Sequence, residues 1–205
     1  MIVAISRAYG AGAHDVAAAA AESLGYRLVD RELPVVVARR LGTSEDAVES
    51  VEERGPSFGQ RVLMQLGGGV PETAQPGVET EDDFSAETRR AIELAVREIA
   101  EHGDAIINGR MAGAILGRRA DVLRVFLHAP LPWRVSHVAE SLGVTESAAR
   151  AEIVRIDETR KAYVKEHYRI GWGDPSNYEL VIDTAWFGIP GSAALLAAAV
   201  RAASA

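Results

Sequence analysis

Short apolar runs recur along the chain, and most of them show no alternation of polar and apolar positions. They lie at residues 2–5, 27–29, 105–107, 123–127 and 180–182. Strands of a parallel sheet that is covered on both faces have this pattern, because neither face meets water. The runs therefore predict the five strands of a mainly parallel sheet.

Segments with helical periodicity separate these runs. Helices are predicted at residues 15–24, 87–101, 132–142, 146–168 and 190–203. Residues 32–54 predict one or two further helices, whereas residues 67–83, rich in Gly, Pro, Thr and acidic side chains, predict a mobile loop. Because strands alternate with helices, we expect an α/β fold with right-handed crossovers.

The predicted strands run into polar or glycine-rich sequence. The segments that follow them are residues 6–12, 30–32, 108–110, 128–130 and 183–184. In an open parallel sheet, ligands bind at the carboxyl ends of the strands, where these segments come together. This arrangement predicts an active cleft at that edge of the sheet.

The turn after the first strand has the layout of a phosphate-binding loop. Its glycines let backbone N–H groups approach an anion, and the N-terminus of the next helix adds partial positive charge. Within the motif G-x-x-x-x-G-K-[ST], Gly12 matches the second glycine and Arg7 replaces the first. Ala13 replaces the lysine, and His14 replaces the Ser or Thr that binds Mg²⁺. A tight turn that binds nothing is the alternative interpretation.

Composition narrows the class of protein. The chain has 205 residues, which suits one domain with at most a small insert. The absence of cysteine excludes disulfides and thiolate chemistry, and the formal net charge of -7 argues against a general nucleic-acid binder. No apolar run approaches the roughly 20 residues that span a bilayer. We therefore expect a cytoplasmic protein that binds neither membranes nor nucleic acid.

Arginines gather where the cleft is predicted. Three of them follow predicted strands and three lie on or after the charged helix at residues 146–168, namely Arg7, Arg31, Arg110, Arg155, Arg160 and Arg169. Guanidinium groups stay charged and bind phosphate through two parallel hydrogen bonds. In an acidic chain whose two lysines are Lys161 and Lys165, this placement predicts a small anionic ligand. A general preference of the chain for arginine over lysine is the alternative.

Several segments resemble the cytidylate kinase-like family. They are Ser6-Arg7-x-Tyr9-Gly10-x-Gly12, Leu28-Val29-Asp30-Arg31-Glu32-Leu33, Asn108-Gly109-Arg110, residues 124–130, and Trp172-Gly173-Asp174-Pro175-x-x-Tyr178-x-Leu180-x-Ile182-x-Thr184. The last segment is the most specific, because it joins Trp, Asp-Pro, Tyr and a strand at fixed spacing. The resemblance covers nearly the whole chain and is weakest at residues 51–83.

The resemblance implies a P-loop nucleoside monophosphate kinase fold, a three-layer α/β/α domain around a five-stranded parallel sheet. Its core would comprise residues 1–31, 84–150 and 179–205. A helical insert at about residues 32–83 would bind the nucleoside monophosphate, and an arginine-bearing lid would occupy about residues 151–178.

The resemblance also implies roles for particular residues. The donor phosphates of ATP would be held by Tyr9, Gly10, Ala11, Gly12, Ala13, His14 and Asp15. The acceptor would be bordered by Asp30, Arg31, Arg110 and Asp174, and catalysis would use Arg7, Arg110, Arg155 and Arg160. Asp157 would orient the lid arginines, and Mg²⁺ would accompany ATP without a metal site made by protein side chains. Asp174 is also a candidate for orienting a lid arginine, and the start of an Asp-Pro turn is the alternative.

Three hypotheses about function stay open, because relatives commonly have Gly and Arg where this turn has Ala13 and His14. The first is a kinase that moves the γ-phosphoryl of ATP to a small phosphorylated acceptor, CMP or a related nucleotide. The second is a nucleotide- or phosphate-binding protein without turnover. The third is an interaction protein whose acidic loop at residues 72–83 is a docking segment. The apolar C-terminal helix and the helix near residues 35–37 could form a homodimer face.

Overall fold

The computed structural model describes residues 1–30, 32–44 and 81–204 of the chain. Its sheet confirms the predicted α/β fold, with strands β1 (Ile2–Arg7), β2 (Arg27–Val29), β3 (Ala105–Asn108), β4 (Val122–His128) and β5 (Leu180–Asp183). The strands lie in the order β2-β3-β1-β4-β5, and every neighbouring pair is parallel. β1 is therefore central, so the segment that follows it enters the middle of the carboxyl edge.

The helices of the described residues connect the strands. They are α1 (Ala13–Leu24), α2 (Glu32–Leu41), α3 (Glu81–Glu101), α4 (Ala112–Leu116), α5 (Leu131–Leu142), α6 (Glu146–Tyr168) and α7 (Thr184–Ala203), with a 3-10 turn at Pro175–Asn177. The predicted bounds of α6 are confirmed, because the Thr145 hydroxyl accepts a hydrogen bond from the N–H of Ala148 at 3.3 Å and caps its first turn.

Four helices begin earlier than predicted, α1 and α5 by one or two residues and α3 and α7 by six, and the short helix α4 is an addition to the prediction. α7 begins at Thr184, because the Asp183 carboxylate accepts hydrogen bonds from the first N–H groups of the helix. Gly188, with φ 64° and ψ 172°, forms a kink before Pro190.

α3 begins at Glu81, so residues 81–83 are helical rather than part of the predicted loop. Residues 81–86 contain no glycine or proline that would interrupt a helix running back from residue 87. The rest of that loop, residues 67–80, and the end of the helical segment predicted at residues 32–54 lie outside the described residues.

The chain divides into two compact units, and the whole sheet lies in the unit formed by residues 1–30 and 96–205. Val3, Val125 and Leu127 of the central strands are fully buried, and each contributes about 1.5–3 kcal/mol by its burial. Ala17 and Ala20 of α1 are fully buried against this core. Their small side chains allow α1 to pack closely on the sheet. The predicted bounds of the insert and lid stay predictions.

The second unit, residues 31–95, contains α2 and the first part of α3. The described side chains that are buried there include Val37 and Ile92. The structure confirms that residues 35–37 are helical, as predicted.

The expectation that no apolar run approaches the length of a membrane span is wrong for α7, which is 20 residues long and apolar enough, by length and composition alone, to cross a membrane. In the structure Leu196, Ala197 and Val200 are buried, and Leu196 and Val200 belong to the core cluster that includes β1 and β4. One face of α7 therefore has the packing that is typical of a core helix in a globular domain.

Candidate functional site

The glycine-rich turn between β1 and α1 approaches its neighbours too closely for larger residues. Gly10 and Gly12 have φ of 79° and 68°, in the left-handed region that favours glycine. A Cβ on Gly10 would overlap Cγ2 of Val138, and one on Gly12 would overlap Cδ1 of Ile189. The positive φ values therefore favour glycine at both positions, and an added Cβ would also displace the end of a neighbouring side chain.

The N-terminus of α1 opens directly from this turn. Gly12 is its N-cap residue and supplies no side-chain cap. Within the part of the chain that the structure describes, no acceptor is paired with the N–H groups of Gly12, Ala13 and His14. Uncapped N–H groups at the positive end of a helix favour an anion. The turn thus has the backbone geometry of a phosphate site without the lysine.

Buried polar groups hold the turn from below. Oγ1 of the fully buried Thr184 lies 2.8 Å from the carbonyl oxygen of Ala11 and 3.1 Å from that of His128. The hydroxyl has a single proton to donate, so the two carbonyl oxygens share it. Thr184 therefore ties the turn to the end of β4 through the first residue of α7. This contact gives the last residue of the Trp172–Thr184 segment a structural role.

Asp157 and Arg134 hold the beginning of the turn. The Asp157 carboxylate accepts from the N–H of Tyr9 at 2.9 Å and from Nη1 of Arg134 at 2.6 Å. Arg134 also donates to the carbonyl oxygen of Tyr9 at 2.9 Å. The prediction that Asp157 orients the lid arginines is wrong, because its carboxylate oxygens accept hydrogen bonds from Tyr9 and Arg134 instead. Sequence reasoning missed Arg134, which follows no strand directly and belongs to no matched motif.

Asp30, at the end of β2, meets the end of the turn. Its Oδ2 lies 2.6 Å from Nδ1 of His14 and accepts from Nδ2 of Asn108 at 3.1 Å. Burial alone would raise the pKa of Asp30, but the hydrogen bonds from His14 and Asn108 and the charge of Arg7 lower it below its ordinary value. Asp30 is therefore an ionised carboxylate at neutral pH. Oδ1 of Asn108 is buried without a partner within the described residues.

Arg7 and Arg110 flank the ends of β1 and β3. The Arg7 guanidinium lies against Gly109, where a Cβ would overlap Nη1 of Arg7. Gly109 has φ 91°, and Arg110 and Met111 after it both have φ 53°. Consecutive left-handed residues of this kind are rare outside glycine and concentrate at functional sites. The end of β3 is therefore a tight turn that places Arg110 at the predicted edge.

The two lid arginines behave differently. Arg160 donates from Nη1 to the carbonyl oxygen of Arg7 at 3.3 Å, and its guanidinium carbon lies 5.7 Å from the centroid of the Tyr9 ring. Arg155 instead makes two hydrogen bonds, both 3.0 Å, to Glu152 on its own helix. The structure thus brings Arg160 to the turn, and Arg155 takes part in a pair along α6.

Asp174 and its neighbours form a turn rather than an open site. The Asp174 carboxylate accepts from the N–H of Ser176 at 2.9 Å and from its hydroxyl at 2.8 Å, and these bonds lower the pKa of Asp174. Trp172 and Tyr178 pack on Phe126, with ring centroids 5.3 Å and 5.1 Å away. The Asp-Pro turn is therefore observed, and the role of Asp174 toward an acceptor stays a prediction.

The remaining predicted residues have different outcomes. Asp15 lies in the first turn of α1, next to His14. Arg31 lies outside the described residues.

Among the side chains that the structure describes, no three His, Cys, Asp or Glu converge so that they could hold a metal ion. A Mg²⁺ ion prefers oxygen ligands, and the turn has His14 in place of the hydroxyl. The side chain that the phosphate-binding motif uses as a Mg²⁺ ligand is therefore missing from this turn.

Fold comparisons identify the type of fold. Over 98% of this chain, the structure is similar to a protein from Eubacterium ventriosum, with a TM-score of 0.65, 20% identity and 98% of that chain covered. It is also similar to shikimate kinase from Acinetobacter baumannii, with a TM-score of 0.52, 12% identity and 92% of that chain covered. The parallel sheet, the glycine-rich turn and these similarities define a P-loop kinase type of α/β fold.

Sequence comparisons give the family. The model of the cytidylate kinase-like family matches residues 2–185, and the chain belongs to that family. It is 29% identical to the cytidylate kinase of Methanothrix thermoacetophila, over 98% of this chain and 99% of that protein. It is 29% identical to that of Natronomonas pharaonis, over 98% of this chain and 90% of that protein. These relatives confirm the resemblance and support a nucleotide kinase-like function.

Proposed function

We propose that the protein is a phosphotransferase that moves the γ-phosphoryl group of ATP to a small phosphorylated acceptor, CMP or a related nucleotide. The observation that carries this proposal is the uncapped N-terminus of α1, which follows a turn with two left-handed glycines and an arginine from α6. A phosphate chain fits such a site through backbone N–H groups and positive charge. Family membership supports the nucleotide as ligand.

Phosphoryl transfer depends on positioning and charge neutralisation rather than on a protein nucleophile. In the proposed mechanism, the N–H groups of Gly12, Ala13 and His14 bind the donor phosphates. Arg160, already at the turn, neutralises charge on the transferred group. Arg7 or His14 partly replaces the missing lysine.

The acceptor side of the mechanism uses other arginines. Arg110, at the tight turn after β3, would hold the acceptor phosphate together with Arg31. Arg155 would close over the transferring group after leaving Glu152. Mg²⁺ would arrive on the phosphates of ATP, whose oxygens are the ligands it prefers, and would neutralise part of their charge.

A second candidate function is nucleotide or phosphate binding without turnover. Ala13 and His14 favour it, because they remove the lysine and the hydroxyl that the phosphate-binding motif uses. Both candidates place a phosphate at the same turn, so they differ in turnover and not in the location of the ligand.

Turnover with a matched pair of variants separates these candidates. The folded protein is incubated with Mg-ATP and a panel of nucleoside monophosphates, and the nucleotides are separated by ion exchange. We expect ADP and CDP from CMP. Arg160→Ala should lower kcat by about a hundredfold or more. Lys161→Ala, the next cation on α6, whose amine pairs with Glu158 at 2.8 Å, should leave kcat near that of the unchanged protein.

The opposite results are equally informative. No ADP formation with any acceptor, together with ATP binding in calorimetry, would overturn turnover and favour the binding protein. No binding of any nucleotide would overturn both candidates. Equal losses in Arg160→Ala and Lys161→Ala would contradict the role assigned to Arg160.

A further inference from the structure

His14 is the residue of the glycine-rich turn whose side chain both contacts a carboxylate and keeps an open nitrogen. It is the second residue of α1, so its side chain leaves the helix beside the uncapped N–H groups. Nδ1 lies 2.6 Å from Oδ2 of Asp30. Because the lowered pKa of Asp30 keeps that carboxylate ionised, it can only accept, and the hydrogen bond places a proton on Nδ1.

The other ring nitrogen is available to a ligand. Nε2 of His14 has no hydrogen-bond partner within the described residues, and 52% of the side chain is exposed. Asp30 is more enclosed, at 15% exposure, and Nδ2 of the buried Asn108 donates to the same Oδ2. The carboxylate is therefore fixed by two donors, and the imidazole ring is oriented by the carboxylate.

We propose that Asp30 is a positioning residue that holds His14 at the donor phosphates, and that protonated His14 supplies the cation that the turn lacks because Ala13 replaces lysine. This assigns Asp30 to the donor side of the site rather than to the acceptor. The inference rests on the proposed function for the nature of the ligand, a chain of phosphates. Arg7 is the weaker substitute, because its guanidinium lies against Gly109 at the end of β3.

The surrounding charges make the binding depend on pH. Among the residues that the structure describes, the charged groups at this edge of the sheet include Asp30 after β2, Asp15 from α1, Arg7 from β1, Arg110 after β3 and Arg160 from α6. Asp30 and Asp15 bring negative charge to this edge, whereas the arginines and the N-terminus of α1 bring positive charge. A bound polyanion adds negative charge beside Nε2, so binding should take up a proton. Histidine changes charge between about pH 5 and 8, so phosphate binding should strengthen on acidification in that range.

Calorimetry with inorganic tripolyphosphate tests this without turnover or a nucleoside. Binding to the intact protein is measured without metal from pH 5.5 to 8.5, beside His14→Gln, His14→Asn, Asp30→Asn and His102→Gln. His102 is the matched control, an exposed histidine near the opposite end of β3 whose Nδ1 lies 2.7 Å from the carbonyl oxygen of Glu98. The titration of tripolyphosphate itself is common to all variants, so the ratio of dissociation constants isolates the protein.

The expected result is a pH-dependent ratio. His14→Gln should bind about tenfold more weakly than the unchanged protein at pH 6, with the ratio approaching one at pH 8.5. At pH 6 the affinity of Asp30→Asn for tripolyphosphate should lie between those of the unchanged protein and His14→Gln. The pH at which its affinity changes should be lower than in the unchanged protein. Calorimetry at pH 6.5 in buffers of different ionisation enthalpy measures the number of protons taken up on binding. This number should be smaller in His14→Gln than in the unchanged protein, and it should be unchanged in His102→Gln.

Two results would overturn the inference. A constant ratio between the unchanged protein and both folded His14 variants at every pH would remove it and leave the proposed function standing. Absence of tripolyphosphate binding to the unchanged protein at every pH would also remove the inference, and turnover with Mg-ATP would then decide the proposed function separately. Circular dichroism of the two His14 variants establishes that they are folded before the comparison.

Discussion

Two carboxylates hold the glycine-rich turn, and their surroundings differ. Asp157 fixes the beginning of the turn at Tyr9, and its side chain and that of its partner Arg134 are each 12% exposed. Asp30 fixes the end of the turn at His14, where half of the imidazole faces solvent. At Asp157, both oxygens have a protein donor, one from Tyr9 and one from Arg134.

The difference separates a contact that maintains the fold from one that can meet a ligand. A buried ion pair with all of its hydrogen bonds made stabilises one backbone position, and breaking it leaves an uncompensated charge. A half-exposed histidine on an ionised carboxylate keeps a nitrogen for another partner. We therefore expect changes at Asp157 to affect stability and changes at Asp30 to affect pH dependence.

The largest expected effect is that of Asp157→Ala. The substitution leaves the largely enclosed Arg134 without its carboxylate partner and the N–H of Tyr9 without an acceptor, so the free energy of unfolding should fall by about 3 kcal/mol. Urea denaturation measures it. Asp157→Asn keeps an acceptor for Tyr9 and should lose less, and an unchanged midpoint in both variants would contradict a stabilising role for this pair.

An intermediate effect is expected for Gly109→Ala, which tests the position of the Arg7 guanidinium, whose charge lowers the pKa of Asp30. The left-handed φ of 91° should cost about 1–2 kcal/mol, and displacement of the Arg7 guanidinium should add to it. Gly25→Ala is the control, because Gly25 has φ 68° and no atom within 4 Å of its Cβ position. Equal losses in urea denaturation would show that space for Arg7 is not required.

The smallest effect concerns the acid dependence of Asp30→Asn. Since the folded pKa of Asp30 lies below its unfolded value, its stabilisation is present above about pH 4 and is lost as the pH falls through the folded pKa. At pH 7 the free energy of unfolding of the unchanged protein should exceed that of Asp30→Asn by less than about 1 kcal/mol. This difference should close at lower pH. Urea titrations from pH 7 to 3 measure it, and a gap that widens on acidification would reverse the assigned sign.

Much of the fold was accessible from local pattern. The apolar runs at β1, β3 and β4 are buried on both faces, so their composition alone predicts strands of a parallel sheet. Boundaries were less accessible where a cap or kink decided them, as at Asp183 and Gly188 of α7. α4 was not predicted, because its five residues are too few to show a periodic pattern.

The sequence by itself determined the elements, the glycine-rich turn, the missing lysine and the family resemblance, because each depends on residues near one another in the chain. The tertiary structure decided which side chains meet at the turn. Asp157 and Tyr9 are 148 positions apart, and Asp30 and His14 are 16 apart. Their contacts exist because the parallel strand order brings the carboxyl ends of β1, β2 and β3 to one edge and places α6 against the turn. No local pattern encodes such pairings, since they depend on how the elements pack.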